Sequence, residues 1–492
     1  MARGYGLVRK PSIFKKLETV VGKGYVISHP DDLLVFEYDG SIDKAVPQAV
    51  VFPVSMEEVR RVVAVAQEFD VAVVGRGSGT GLSGGAIASA GGLQVALTRM
   101  NRILEMDVEN RLAVVEPGVI NLQLDEAARK HGLRYAPDPS SQRACSIGGN
   151  VAENAGGPHC LAYGVTSNHV LGLEVALEDG SVTWLGGRTR ETVGYDLRGV
   201  FVGSEGTFGI ATKAVVRLLA APPSIKTYMA VFRDIESACE AVSSVIGKGM
   251  VPAAMEMIDA LTIKAVQNLH DMGLPKDAGC VLLVEVEGLR EEVEEMGGEV
   301  EGVLRKSGSR EVRWAESAAE RERLWRARKG ALGALGSLAP NYYLVDGVAP
   351  RTKLASVLRQ VSEISERYKT PIANVFHAGD GNLHPCILFD EREAGSVERV
   401  IEVGGEILKV CVEAGGSLSG EHGIGLEKKA YMPLVFSEED MSVMRLVREG
   451  FSPSGRFNPG KIFPGGPMDG DDIDVRAMQK RAVSVAGPGA HV

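Results

Sequence analysis

Val71-Ala-Val-Val-Gly-Arg-Gly-Ser-Gly-Thr-Gly-Leu-Ser-Gly-Gly85 joins a short strand-like run to a loop holding six glycines. Glycine tolerates positive φ and lets backbone N–H groups turn toward one concave spot, a shape that suits a phosphate or pyrophosphate. Ser78, Thr80 and Ser83 add hydroxyl donors, and Arg76 adds a fixed positive charge. No Gly-Lys-Ser/Thr follows, so the loop is not of the Walker type. Nor is Gly77-Ser-Gly79 followed by a helix-opening glycine and an amphipathic run, which a Rossmann fingerprint requires. The expectation is a pyrophosphate cradle of a different kind.

Outward from this loop, residues 49–52 read as a strand. Ser55 and Glu58 form a capping box for a helix that places Val59, Val62, Val63, Ala66 and Phe69 on one face. Strand, helix and strand in succession predict an α/β opening. Further strands are expected at 93–97, 112–115, 170–177 and 212–219, and Asn121 is read as the cap of a helix running to His131. Two more small-residue clusters follow. One runs from Pro137-Asp-Pro-Ser-Ser141 through Ser146-Ile-Gly-Gly-Asn150 to Asn154-Ala-Gly-Gly157, and the other is Gly203-Ser-Glu-Gly-Thr-Phe-Gly-Ile210. Three such loops fit one extended ligand better than three independent surface turns.

At 492 residues the chain has room for two or more domains. A net charge of −10 argues against nucleic acid as the main partner. Cys145, Cys160, Cys239, Cys280, Cys386 and Cys411 form no CxxC pair, which argues against an in-chain zinc knuckle or iron–sulfur cluster and for a reducing, cytoplasmic setting. No apolar run approaches the roughly 18 residues of a transmembrane helix. The basic N-terminus (Arg3, Arg9, Lys10, Lys15, Lys16) lacks the apolar core of a signal peptide. Residues 12–22 instead read as an amphipathic helix packed on its own domain, with a peripheral seat at a membrane left open.

Ala221-Pro-Pro223 punctuates the chain. Beyond it, helices (235–248, 289–306, 316–335, 351–367, 394–414, 437–449) alternate with strands (227–232, 280–286, 310–314, 342–347, 372–377, 383–389). The expected organisation is α+β: an N-terminal helical segment 1–45, a ligand-binding domain 46–221, and a second domain 222–450 with its own antiparallel sheet. A segment 451–465 returns to the first domain, and 466–492 is expected to be a mobile tail.

The second domain carries the chemistry. In His377-Ala-Gly-Asp-Gly-Asn-Leu-His384, Asp380-Gly381 suits a two-residue hairpin turn that would pair His377 with His384 on one face. Ser417-Leu-Ser-Gly-Glu-His-Gly-Ile-Gly425 sets Glu421 beside His422 in a tight loop. Two histidines and Glu421 make a three-ligand site for a catalytic divalent metal, leaving His422 as a base.

The three glycine loops resemble the FAD-binding domain of the vanillyl-alcohol oxidase / p-cresol methylhydroxylase (PCMH) superfamily. The pair His-x-Gly-Asp-Gly-Asn-Leu-His and Glu-His-Gly resembles the signature of its FAD-linked 2-hydroxyacid dehydrogenases, a group that includes D-lactate dehydrogenase, the glycolate oxidase flavoprotein subunit and D-2-hydroxyglutarate dehydrogenase. The resemblance implies a two-domain flavoprotein with a PCMH-type FAD domain and an α+β substrate (cap) domain. FAD would be held by Arg76, Gly77, Ser78, Gly79, Thr80, Gly81 and Ser83 at the pyrophosphate. Pro137, Asp138, Ser146, Gly149, Asn150, Asn154, Gly156, Gly157, Glu205, Gly206 and Ile210 would meet its flavin and adenine sides, with Asn458 and Lys461 returning from the C-terminal segment. Covalently flavinylated relatives carry a histidine at the first loop; none stands here, so non-covalent FAD is expected.

The same resemblance implies zinc or manganese on His377, His384 and Glu421. It makes His422 the general base and Arg328 the receiver of the substrate carboxylate, with Arg351 as a second candidate. The expected reaction is oxidation of a small D-2-hydroxy acid, D-lactate first, by hydride transfer to flavin. Electrons would pass to a quinone, a cytochrome, an electron-transfer flavoprotein or a partner subunit. Leu344 stands where hydroxyglutarate-specific relatives have a lysine, which argues for a monocarboxylate. Glycolate or D-2-hydroxyglutarate oxidation, ether-lipid synthesis, direct reaction with O₂, a flavin electron-relay subunit and a homodimeric assembly stay open.

Overall fold

The computed structural model describes residues 10–190, 193–269 and 272–464. The expected tail at 466–492 and the first basic residues lie outside them. Among the described residues no helix is long and apolar enough to cross a membrane.

The first domain is built on two sheets. In the smaller, Val73–Arg76 and Ala49–Val51 flank Leu93–Ala96 in parallel, and Val26–Ile27 adds an antiparallel edge. The helix Met56–Glu68 makes the crossover. Ser55 caps it as read, and Glu58 reaches back to the N–H of Val54. The helix Lys10–Val21 packs on it, burying Ile13, Leu17 and Val21 with Val59, Val62 and Val63. The larger sheet is antiparallel, in the order Ile103–Asp107, Leu112–Val115, Ile210–Arg217, Val170–Ala176, Val182–Gly186. Asn121 is not a cap. Ile120 holds that position, and Asn121, inside the helix, donates to the carbonyl of Pro137 and to Asn150 Oδ1, both at 3.0 Å.

The second domain is organised by a nine-stranded sheet whose long central run is Glu311–Trp314, Ser224–Phe232, Cys280–Gly288, Ala254–Asp259, Ile372–His377. Tyr228-Met-Ala-Val-Phe232 is buried throughout, because helices cover both faces and alternate side chains enter two separate cores. The period of two also decides the site. Glu256, Glu285, His377 and His384 share their face with Ile258, Leu283, Val375 and Cys386, which belong to the core on the side of the first domain.

The strand Ala254–Asp259 and the helix Ala260–Leu269 were not expected. Ala-Met-Glu-Met offers neither β-branched residues nor clean alternation, and a fully buried Glu256 interrupts the apolar pattern.

The chain then returns. Phe457 bridges Val73 in parallel, Asn458 Nδ2 donates to the carbonyls of Gly85 (2.9 Å) and Glu205 (2.6 Å), and Lys461 Nζ donates to those of Gly84 (2.6 Å) and Ile87 (2.7 Å). The C-terminal segment thereby ties the first glycine loop to the third.

Candidate active site

A cavity of about 370 Å³ lies where the two domains meet, within the roughly 300–1,000 Å³ of ordinary ligand sites. From the first loop, Arg76, Gly77, Ser78, Gly79, Thr80 and Gly81 line it. Ser146, Gly149 and Asn150 line it from the second, and Glu205, Gly206 and Ile210 from the third. The loops touch closely: a Cβ on Gly77 would collide with Ser146 Oγ. Arg76 donates to the carbonyl of Tyr38 at 2.8 Å and leaves Nη1 buried without a hydrogen-bond partner. A concave wall of glycine backbone with a spare guanidinium nitrogen fits a pyrophosphate.

Several expected cofactor residues support this wall rather than line it. Ser83 donates to the His422 carbonyl at 2.8 Å. Pro137 receives Asn121, and Asp138 pairs with His159 and Lys329. Asn154 is a left-handed helix cap that accepts from the N–H of Ser167. Gly157 packs on the Asp138 carbonyl, and Gly156 leaves room that Glu421 fills, a Cβ there lying 2.6 Å from its Oε2. Asn458 is the tie described above.

The hairpin register differs from the expected one. His377 pairs with Asn382, so the loop is the four residues 378–381, with positive φ at Gly381 alone. A type I′ turn needs positive φ at both central residues. The shift is by an even number of residues, so both histidines keep one face. Their rings stand 5.1 Å apart at 84°. His377 Nε2 and His384 Nε2 each lie 3.2 Å from the same oxygen, Glu421 Oε1.

His377 Nδ1 meets Glu256 Oε1 at 2.8 Å, which directs Nε2 toward Glu421. Burial opposes charge on His377, yet Glu256 and Glu421 hold its pKa well above the usual value. Two carboxylates thus call for a cation between them. Two imidazole nitrogens and a carboxylate oxygen within 4.8 Å of one another fit zinc or manganese. Asp346, His384 and His422 form a second such group. Asp346 is already occupied by the N–H groups of Gly420, Glu421 and His422, by Ser419 Oγ at 2.6 Å and by Lys428 Nζ at 3.2 Å. It shapes the loop rather than offering a free ligand atom.

His422 stacks on His384 at 5.0 Å. Burial lowers its pKa to about 4, with His384 and Lys428 adding to the depression and Asp346 opposing it. Arg328 lines the cavity at 2% exposure, with Nη2 2.6 Å from Glu256 Oε2 and Nε lacking a hydrogen-bond partner. Arg351 is exposed, donates to the carbonyl of Gly379 at 3.3 Å and does not line the cavity. Its place in the short 3-10 turn Arg351–Lys353 turns it outward.

Sequence reading missed Glu256, Asp346, Lys329 and Lys428. The usable signal was a charged residue inside an apolar strand, which marks Glu256. No pattern marks Asp346.

The glycine-lined cavity is thus bordered by His384, Glu421, His422 and a buried arginine where two domains meet. The chain belongs to the FAD-linked oxidase family: residues 221–462 match the C-terminal domain of FAD linked oxidases, and residues 47–186 match the FAD binding domain. Glycolate oxidase subunit GlcD of Escherichia coli (strain K12) is 45% identical over 443 residues, which is 90% of this chain and 89% of that protein. A D-lactate dehydrogenase of Anaerostipes hadrus is 32% identical over 428 residues, 85% of this chain and 90% of that one. The structure of p-cresol methylhydroxylase with substrate bound matches with a TM-score of 0.78 at 18% identity, over 92% of this chain and 96% of that one, a likeness of fold.

Proposed function

We propose that the protein oxidises a small 2-hydroxy monocarboxylate, glycolate or D-lactate, to the 2-oxo acid, with FAD as first electron acceptor and a divalent metal on His377, His384 and Glu421. The observation that carries this reading is the meeting of His384, Glu421, His422 and Arg328 on the wall of a cavity that the three glycine loops also line. D-lactate stood first on sequence grounds; identity of 45% to a glycolate oxidase subunit gives glycolate equal standing.

When bound, FAD supplies a hydride acceptor and the metal ion acidifies a coordinated hydroxyl. The chain's own residues do the rest. Arg328, with Lys329 beside it, receives the substrate carboxylate. Leu332, Leu344 and Val375 exclude water from that end of the cavity and offer nothing to a second carboxylate. His422 is neutral at working pH, and its Nε2, 3.9 Å from Glu421 Oε1, takes the hydroxyl proton. An imidazole with a pKa of about 4 is a weak base. Electrons then leave for an acceptor other than nicotinamide, and a relative named as a subunit supports a partner chain in that role.

The test is anaerobic mixing of the metal-replete holoprotein with glycolate, D-lactate, L-lactate and D-2-hydroxyglutarate. Flavin bleaching by glycolate or D-lactate is expected; bleaching by none of the four would end the proposal.

A further inference from the structure

At the His422 end of the cavity two carboxyl groups meet that the reaction above does not use. Glu153 is the last residue of the helix Ile147–Glu153, Glu205 comes from the third glycine loop, and both line the cavity. Glycines make room for the pair. A Cβ on Gly423 would lie 2.8 Å from Glu205 Oε1 and 2.9 Å from Glu153 Oε2, and one on Gly85 would collide with Glu153 Oε1.

The two are unequal. Glu205 accepts from the N–H of Ile424 at 2.7 Å and of Gly425 at 2.6 Å, bonds that favour its ionised form. Glu153 Oε2 is buried with no hydrogen-bond partner among the described residues. Neighbouring buried carboxyls do not both ionise, so the proton resides on the one without N–H donors. Burial, then Glu205 and Asp39, push the Glu153 carboxyl well above the usual range, against Lys461 and Lys428. Burial raises Glu205 too, with its two backbone donors opposing the rise only in part.

A protonated carboxyl is a donor, and leaving it unpaired in the interior is costly. Glu153 lines the cavity, so an occupant comes within reach of its carboxyl group. The pair retains one negative charge, which disfavours a pyrophosphate beside it, and it packs against Gly423, which directly follows His422.

We propose that Glu153, as a protonated carboxyl, donates a hydrogen bond to an acceptor atom of the bound isoalloxazine ring and makes that ring easier to reduce. Reduction places negative charge on the acceptor edge, so a donor there stabilises the reduced ring more than the oxidised one. An ionised Glu153 would do the opposite. The inference rests on FAD filling this cavity and not on which hydroxy acid is oxidised.

The experiment is a dithionite titration of the holoprotein against a reference dye, with FAD in excess, for wild type, Glu153→Gln and Glu153→Met. Dithionite replaces the substrate, so a wrong substrate assignment leaves the readout intact. Glu153→Gln keeps a donor and is expected to retain the wild-type midpoint potential and visible spectrum, while Glu153→Met lowers the potential and shifts the flavin band. A potential raised by Glu153→Gln would reveal an ionised carboxylate, and an unchanged potential in Glu153→Met would reveal no contact. Either result overturns the proposal.

Discussion

The proton transfer is proposed for His422, whose surroundings fix how its ring is presented. Asp346 binds the N–H groups of the loop that presents it, so the ring is held by its backbone, stacked on His384, with Nε2 toward the cluster. Removing the imidazole should leave the cofactor pocket intact, since the His422 side chain makes none of the loop's hydrogen bonds. His422→Ala is expected to keep FAD and to lower the rate of flavin reduction by substrate roughly 10²–10⁴-fold, the usual contribution of a positioned general base. Stopped-flow measurement of the flavin band decides it, and an unchanged rate would strip His422 of the role. His377, His384, Glu421 and His422 were legible because imidazoles framed by glycines in two short motifs are rare in a chain with 9 histidines. Asp346 and Glu256 were not. Their meaning comes from partners 36 to 121 positions away on other strands and loops, and spacing cannot supply those partners.

At the scale of elements, pattern predicted the existence of strands and helices better than their pairing. The hairpin at 378–381 kept both histidines on one face although its register was misread, because an even shift preserves the face. The loop after Asn154 and the helix Ala318–Lys329 illustrate what pattern leaves out. His159 Nδ1 lies 2.9 Å from Asp138 Oδ2 and its Nε2 3.1 Å from Glu285 Oε1, while Lys329 Nζ reaches Asp138 at 2.9 Å. Trp325 lies over the His159 ring at 5.4 Å and donates to Glu285 at 2.6 Å. This latch joins the two domains next to Arg328. Burial disfavours the His159 imidazolium, but Asp138 and Glu285 prevail and raise its pKa to about 10. A folded-state pKa above the unfolded value of about 6.5 gives stability that is complete below that value and lost as pH rises through about 10. The denaturation midpoint should therefore fall between pH 7 and 10, followed by tryptophan fluorescence, and His159→Gln should flatten the fall. Superimposable profiles for the two proteins would count against the latch.

Across the whole molecule, function depends on residues about 300 positions apart closing on one cavity. The first domain supplies a glycine-walled cradle, the second supplies the His–His–Glu cluster on one face of its long sheet, and Asn458 and Lys461 fasten the return of the chain. The two-domain plan was legible because each half carries its own motif. The strand Ala254–Asp259 was not, for its buried Glu256 makes sense only opposite His377 and Arg328. We propose that a divalent metal on His377, His384 and Glu421 activates the substrate hydroxyl. The direct measurement is anaerobic flavin reduction by glycolate or D-lactate, before chelation, after it, and after zinc or manganese is restored. Loss of bleaching on chelation and its return with the metal are predicted, with FAD retained throughout. Equal bleaching in all three states would contradict the account.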